Sequence, residues 1–314
     1  MKALIHENAS HSDWFVVNWN LGNTCNYSCS YCPKFLHSGS VPWPELSILT
    51  SFIDKVIEQK KDKRVAFEFT GGEVTVYKQF SELCDHIKSK GAAVALISNG
   101  GRTAKWWTRF GNKADHVCLS FHAEEGDPAH FIDIVNITSK NMKTHVNVMM
   151  HPDHWEKCIT VAENVINVPN ITFALQPLIV DFGDKLFNYT PEQHAVFENQ
   201  WELYQKKIVR DNNSPGFSIR GAMREIQAGQ LGKVWQPHIM IAEKINDWAG
   251  WSCSAGVEQI IIDFDGSIWR GWCRQGGKIG NTNDTNFQLT TDWVTCNKNF
   301  CHCNFDIMCT KVEQ

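Results

Sequence analysis

The sequence predicts an α/β fold of parallel βα units that runs into a smaller cysteine-rich tail. Three observations lead there. Six strand-like apolar runs alternate with segments of helical periodicity between residues 14 and 177, the pattern of parallel strands joined by crossover helices. Within those runs apolar and polar positions alternate, so each strand has one greasy and one polar face. The cysteines gather at the two ends of the chain, at 25–32 and again from Cys253 onward.

Residues 14–20, WFVVNWN, read as the first strand, and a cysteine loop follows. Leu46, Leu49, Phe52, Ile53 and Val56 keep helical spacing between about Pro44 and Lys60. VAFEF, 65–69, is the second strand, and a helix from about Tyr77 to Lys90 ends at Gly91 as its C-cap. Residues 92–98, 116–122, 144–150 and 171–177 supply four more strands, with helical periods near 127–139 and 154–166. After Gln176 the rhythm stops. Residues 181–190 look like a loop, a long helix is expected from Pro191 to about Asp211, and 215–250 read as a bridge. Arg220 and Arg224 stand four apart there, as on one face of a helix, either gripping an anion or solvated. Three parts follow: residues 1–180, a bridging helical region 181–247, and a tail 248–314.

The alternation also sorts the faces. Val117, Leu119 and Phe121 oppose Cys118, Ser120 and His122, while Val146 and Val148 oppose His145, Asn147 and Met149. Ile171, Phe173 and Leu175 oppose Thr172, Ala174 and Gln176, and Val65, Phe67 and Phe69 oppose Ala66, Glu68 and Thr70. Helices cover the apolar faces of such sheets, so Glu68, Ser120, His122, Asn147 and Gln176 are expected to converge on an interior. A barrel core is ordinarily filled by Val, Ile and Leu. A polar one suits a ligand or a self-satisfied hydrogen-bond network.

Composition narrows the function classes. The 314 residues are 43% hydrophobic, and no apolar run approaches the length of a membrane span. The N-terminus lacks the apolar core of a signal peptide. Twelve cysteines without such a signal read as metal ligands in a reducing cytoplasm. Cys84, Cys118 and Cys158 are isolated and read as buried thiols. The formal charge of −4 argues against a duplex-binding surface.

Cys25, Cys29 and Cys32 stand at C-x3-C-x2-C spacing, with Tyr31 just before the third. Thiolates select iron–sulfur clusters, zinc or cuprous copper, and a structural zinc site closes with four ligands. Three cysteines instead leave one iron of a four-iron cluster open. TGGE (Thr70–Glu73) and ISNG (Ile97–Gly100) follow, each after a predicted strand. These three motifs in this order resemble the radical S-adenosylmethionine (SAM) enzymes over about residues 14–180. The resemblance implies an open, partial (β/α)6 TIM-like barrel. It also implies a [4Fe-4S] cluster on Cys25, Cys29 and Cys32 whose open iron takes the methionyl end of SAM. Tyr31, Gly71, Gly72, Glu73, Ser98 and Asn99 are expected to line SAM, together with Ser120, Asn147 and Gln176 from the interior face.

In the tail, IIIDF, Asp265-Gly266 and SIWRGW carry a hairpin signal between Cys253 and Cys273. Cys296, Cys301, Cys303 and Cys309 follow. Alone, this would read as a zinc ribbon. Beside the first part it resembles the twitch/SPASM extension of radical SAM enzymes, which implies one auxiliary [4Fe-4S] cluster. Its ligands are expected to be Cys253 and Cys273 with Cys301 and Cys303, then Cys296, and last Cys309.

The expected function is radical chemistry at an unactivated C–H bond. As the resemblance implies, an electron from the reduced cluster cleaves SAM, and the resulting 5′-deoxyadenosyl radical takes hydrogen from a small polar substrate. Oxidation, epimerisation and rearrangement all remain open. Glu68 and His122 are the candidate catalytic residues, His122 because it ends its strand and an ordinary histidine titrates near neutral pH. A flavodoxin- or ferredoxin-type donor is the expected partner, with neither nucleic acid nor membrane. A peptide-modifying maturase is the alternative within the class, and a non-catalytic zinc-binding scaffold the alternative outside it.

Overall fold

The computed structural model describes residues 2–180, 185–197, 221–284, 286–301 and 303–314. Six parallel strands carry the first part: β2 (Trp14–Gly22), β3 (Arg64–Gly71), β4 (Ala93–Ser98), β5 (His116–His122), β6 (Lys143–Met150) and β7 (Ile171–Pro177). They are preceded by a short strand, β1 (Lys2–His6). The connections are α1 (Leu46–Gln59), α2 (Phe80–Ser89), α3 (Ala104–Phe110), α4 (Pro128–Thr138) and α5 (Trp155–Val165). Each helix turns its apolar stripe to the sheet, as Leu49, Phe52, Ile53 and Val56 do in α1. The capping is local: Asp127 accepts from the His130 amide at 2.7 Å, with Pro128 as the first helical residue of α4, which satisfies an amide the helix cannot.

One face of the sheet, with Val17, Phe67, Leu96, Leu119, Val148 and Phe173, packs against the helices. Removing a ring such as that of Phe67, which is fully buried, would cost about 3–5 kcal/mol. The other face is polar or small. At its base Trp14, Ala66, Ala93 and Ala95 form a plug, so the wall above carries little bulk. Among the described residues β7 pairs only with β6, so the six strands form an open, partial barrel.

The other edge differs from expectation. The hairpin strands β11 (Gln259–Ile262) and β12 (Ser267–Trp269), followed by β13 (Lys278–Asn281), extend the barrel sheet. β11 lies parallel to β2, Ile261 opposite Asn18. A second, antiparallel sheet has the order β14 (Val294–Thr295), β10 (Ser252–Cys253), β15 (Lys311–Val312), β1, β8 (Met223–Gln227), β9 (Gln230–Trp235). The N-terminal strand is therefore paired with the C-terminal one, Leu4 opposite Lys311. The tail read as residues 248–314 thus shares one sheet with the barrel and another with the N-terminus.

The bridge is corrected in kind. Helix was expected across 181–247, yet its described residues include the β8–β9 hairpin and the short helix 237–242. Arg224 lies on β8 and its guanidinium binds the Glu7 carboxylate on the surface, while Arg220 lies outside the described residues. Only 191–197 of the long predicted helix are described, and they are helical. No helix among the described residues is long and apolar enough to cross a membrane.

Candidate active site at the cysteine loop

β2 ends at Gly22, and the loop carrying Cys25, Cys29 and Cys32 begins there. β3 ends against it. The Gly72 and Glu73 amides donate to the carbonyls of Gly22 and Thr24, each at 2.8 Å. Gly71 has φ +125°, and a Cβ there would lie 2.3 Å from the Gly22 oxygen; one on Gly72 would lie 2.2 Å from that of Thr24. Only glycine permits such backbone contact, so the two glycines of TGGE are required by the loop itself.

Glu73 joins the second motif to the third. Its buried carboxylate accepts from the Thr75 amide and hydroxyl, from Ser98 Oγ at 2.9 Å and from the Asn99 amide at 2.7 Å. Burial raises its carboxyl above the usual range against those hydrogen bonds. Asn99 then reaches the loop, donating to Asn26 Oδ1 at 2.9 Å and approaching Cys25 Sγ at 3.8 Å. Strand ends β3 and β4 thus hold the cysteine loop through one continuous network.

A second brace comes from two residues that sequence reasoning missed. Glu125 accepts from Ser28 Oγ at 2.8 Å, and Glu124 accepts from the Ser30 amide at 2.6 Å and from its hydroxyl. His151 Nε2 stands 3.2 Å from Glu124. The signal was present in the sequence as an acidic pair directly after the strand that ends at His122, at the end of a parallel sheet where sites form.

The three thiols lie on this braced loop with Cys29 buried and Cys25 and Cys32 half-buried. Burial pushes Cys29 up to about 12 and Cys32 to about 11, and raises Cys25. Cys29 feels the charges of Cys25 and Cys32, Cys32 feels that of Cys25, and Cys25 feels Glu73, so thiolates here call for a cation among them. Among the described residues no three His, Cys, Asp or Glu are arranged to hold a single metal ion. A four-iron cluster distributes its thiolates over separate irons, and an all-cysteine donor set of three fits it.

The interior residues fall into separate groups rather than one. The Tyr31 hydroxyl meets His122 Nδ1 at 2.6 Å, and the rings stack at 5.9 Å. Burial pushes the His122 imidazole down to about 4, which corrects the expectation of titration near neutral pH. Asn147 donates to Cys118 Sγ at 3.3 Å and binds His145 at 3.0 Å, one step below His122. Ser120 sits opposite Asn147 in the ladder, and Gln176 lies opposite Met149 at the strand ends. Glu68 belongs to a third group on the tail side: Asn18 donates to it at 2.6 Å, and Trp272 of the tail donates to Asn18 at 3.2 Å. A cavity of about 530 Å³ lined by Trp14, Arg64 and Lys143 opens at the opposite, N-terminal ends of the strands, away from these groups.

In the tail, Cys253, Cys296, Cys301 and Cys309 are buried and Cys273 and Cys303 half-buried. Cys309, ranked last from the sequence, packs with Cys253 in one buried cluster. The Asp306 carboxylate, also unanticipated, accepts from the amides of Trp272 and Cys273 at 3.0 and 2.7 Å and from Gln259 at 3.2 Å.

Residues 19–163 match the family model described as the Radical SAM superfamily. Over that stretch, a little under half of the chain, the protein carries a Radical SAM domain. A curated S-adenosylmethionine-dependent nucleotide dehydratase of Psychrobacter lutiphocae is 23% identical over 211 residues, covering 63% of this chain and 66% of that protein, just under two thirds of its length. A structure of anSMEcpe with bound AdoMet superposes with TM-score 0.54 at 16% identity, over 87% of this chain and 78% of that one. Streptococcus suis SuiB bound to S-adenosylmethionine gives TM-score 0.55 at 13% identity, over 88% and 63%. At these identities the two structures show a shared fold.

Proposed function

We propose that the chain is a radical SAM enzyme acting on a small polar substrate at the C-terminal mouth of its partial barrel, with a nucleotide derivative as the first candidate. The observation that carries this reading is the triply held cysteine loop. Asn99 touches it from β4, Glu124 and Glu125 fix it from β5, and Gly72 and Glu73 bind it from β3. Cys25, Cys29 and Cys32 would hold the cluster, which together with SAM supplies radical chemistry at C–H bonds. Tyr31, Gly71, Gly72, Glu73, Ser98 and Asn99 fit the walls around it. In our reading Ser98 and the Glu73 side chain act by bracing the loop, and the glycine backbone offers the contact surface. Tyr31 and His122 orient one another at the mouth, above the base that Trp14, Ala66, Ala93 and Ala95 close.

The substrate class is supported by the polar interior face, which suits a ligand with hydroxyl or amide groups, and by the likeness to a nucleotide dehydratase. The tail would close the mouth beside Glu68 and hold an auxiliary cluster; residues 1–180 and 248–314 are then two functional parts joined by shared sheets. A peptide substrate is the second reading, favoured by the likeness in fold to SuiB, which has been captured with its precursor peptide SuiA. The test is anaerobic reconstitution with dithionite and SAM, measuring 5′-deoxyadenosine. Nucleotides accelerating its formation support the proposal, and stimulation by peptides alone would replace it.

A further inference from the structure

The interior face of the barrel does not stop at β2. Register carries it onto the tail: Glu68 on β3 stands opposite Asn18 on β2, Asn18 opposite Ile261 on β11, and Ile261 opposite Trp269 on β12. Residues in register share a face of the sheet, so Trp269 lies on the face that carries Glu68. The contacts agree. Ile262 and Ile268, the chain neighbours of that row, pack in the helix-covered core on the other face, and Trp272 Nε1 donates to Asn18 at 3.2 Å. One step toward the mouth, Asn20 stands opposite Thr70 and its amide lies 3.5 Å from Asp263. Asp263 in turn holds Arg274, whose Nη2 lies 3.0 and 2.9 Å from its two carboxylate oxygens.

Two donors on this wall are unused. Arg274 Nη1 and Trp269 Nε1 are both buried and find no hydrogen-bond partner among the described residues. The guanidinium sits over the Trp269 ring, 4.6 Å from its centre, with the centre of the Trp272 ring at 5.8 Å, so the two donors are neighbours. A buried donor left without an acceptor costs free energy, and such groups are rare enough to need a reason. The ion pair does not supply one, because Asp263 engages Nη2 and leaves Nη1. A guanidinium with one nitrogen engaged keeps the rest of its fork for an oxyanion. On the barrel side the same wall offers an acceptor instead, the buried Glu68 carboxylate beside Asn18, which suits hydroxyl groups and repels anions. A ligand with hydroxyls at one end and an oxyanion at the other matches both sides. We propose that Arg274, with Trp269 beside it, binds the phosphate of a nucleotide substrate. The inference rests on the reading above that a nucleotide derivative occupies the mouth. It gives the tail a task in specificity, selecting the phosphorylated form over the free nucleoside.

The test is anaerobic calorimetric titration of the reconstituted full chain, with SAM present, by the four ribonucleosides and their 5′-mono- and triphosphates. At least one phosphorylated form should bind more tightly than its nucleoside. Arg274→Gln should weaken that form by about ten- to a hundredfold and leave the nucleoside near its parent affinity. Arg274→Lys should recover part of the loss, since an ammonium keeps the charge but not the fork. A preference for the phosphorylated form that survives Arg274→Gln overturns the inference. So does a parent that binds nucleoside and nucleotide alike, and in both cases the nucleotide reading stands. A parent that binds none of these compounds overturns that reading and the inference with it. Arg274 adjoins Cys273, so iron content is measured beside each titration. Should Arg274→Gln lose iron, Trp269→Phe decides in its place, because it keeps a ring and removes the N–H. It should weaken the phosphorylated form by about three- to tenfold and spare the nucleoside. Equal affinities in Trp269→Phe and the parent would then overturn the subsite.

Discussion

At the cysteine loop the three thiols stand on irregular backbone, held from outside by Asn99, Glu124 and Glu125, and two of them are half-exposed. In the tail the thiols lie on or beside short strands and are mostly buried, with a carboxylate and an ammonium enclosed among them. Burial pushes the tail thiols up as it does those of the loop, with Cys253 the exception. The charges beside Cys29 are those of Glu124, Cys32 and Cys25, and burial pushes it up to about 12. Cys253 is held below an ordinary thiol by its pairing with Cys309 and by the Lys311 charge, against burial, while Cys309 itself is pushed up. The first site depends on what enters it, and the second carries its own compensation. That contrast suits an open, reactive centre in the loop and a closed, electron-storing or structural one in the tail.

The most severe break is removal of Cys25, Cys29 and Cys32 together. SAM cleavage should disappear, while the iron content falls by about half because the tail site is built separately. Anaerobic iron analysis beside the 5′-deoxyadenosine assay checks both halves. Loss of all iron would mean that the two regions do not assemble independently.

Cutting the loop's outer support should cost less. Ser28 and Ser30 are held by carboxylates, and charged hydrogen bonds contribute about 1.5–3 kcal/mol each. A glutamine keeps an acceptor and forfeits only part of that, so Glu124→Gln with Glu125→Gln should reduce SAM cleavage by about ten- to a hundredfold and leave the tail iron unchanged. A parallel loss of tail iron would show that the effect is global unfolding.

How much of this contrast could be read in the sequence differs between the regions. The loop was legible because its motifs are local: C-x3-C-x2-C, TGGE and ISNG each close a strand whose alternation is plain. Its braces were not, because Glu124 and Glu125 carry no periodicity and meet Ser30 and Ser28 only through folding. The tail's hairpin was visible at Asp265-Gly266, but not its neighbour. Ile260 and Ile262 read as an apolar run whichever strand they join, and only the three-dimensional structure places them beside β2. β1 is five residues long and pairs with residues about three hundred positions away. Arg224 stands four residues after Arg220, which reads as helical spacing, yet it lies on an antiparallel strand.

His122 sharpens the comparison from the mouth itself. Its imidazole stays neutral across pH 5–8, because burial has moved it down to about 4. His122→Asn should lower SAM cleavage by roughly tenfold by releasing Tyr31, the value of a hydrogen bond of about 1.4 kcal/mol. The variant and the parent should show pH–rate profiles of the same shape between pH 6 and 8. A step near 6.5 present in the parent and absent in the variant would mean that the histidine titrates with the site open.

The last effect concerns how the two regions are tied together, and it falls on stability rather than on rate. Glu258 precedes β11, and its carboxylate accepts from the Thr310 amide at 2.9 Å and lies 3.4 Å from His6 Nε2. It therefore links the strand beside the barrel to both strands that carry the chain ends. Burial would raise its pKa, yet the His6 and Thr310 hydrogen bonds outweigh that and bring it down to about 2 from an ordinary 4.5. A carboxylate depressed on folding stabilises the protein above its unfolded pKa, and that contribution is lost as pH falls toward the folded one. Between about pH 4.5 and 2, then, on the order of 3 kcal/mol should vanish. Urea unfolding of Glu258→Gln at pH 7 should show a lower midpoint than the parent, and the gap should close as pH is lowered through that window. A gap independent of pH would assign the loss to packing, and the carboxylate would then not be what fastens the tail to the barrel.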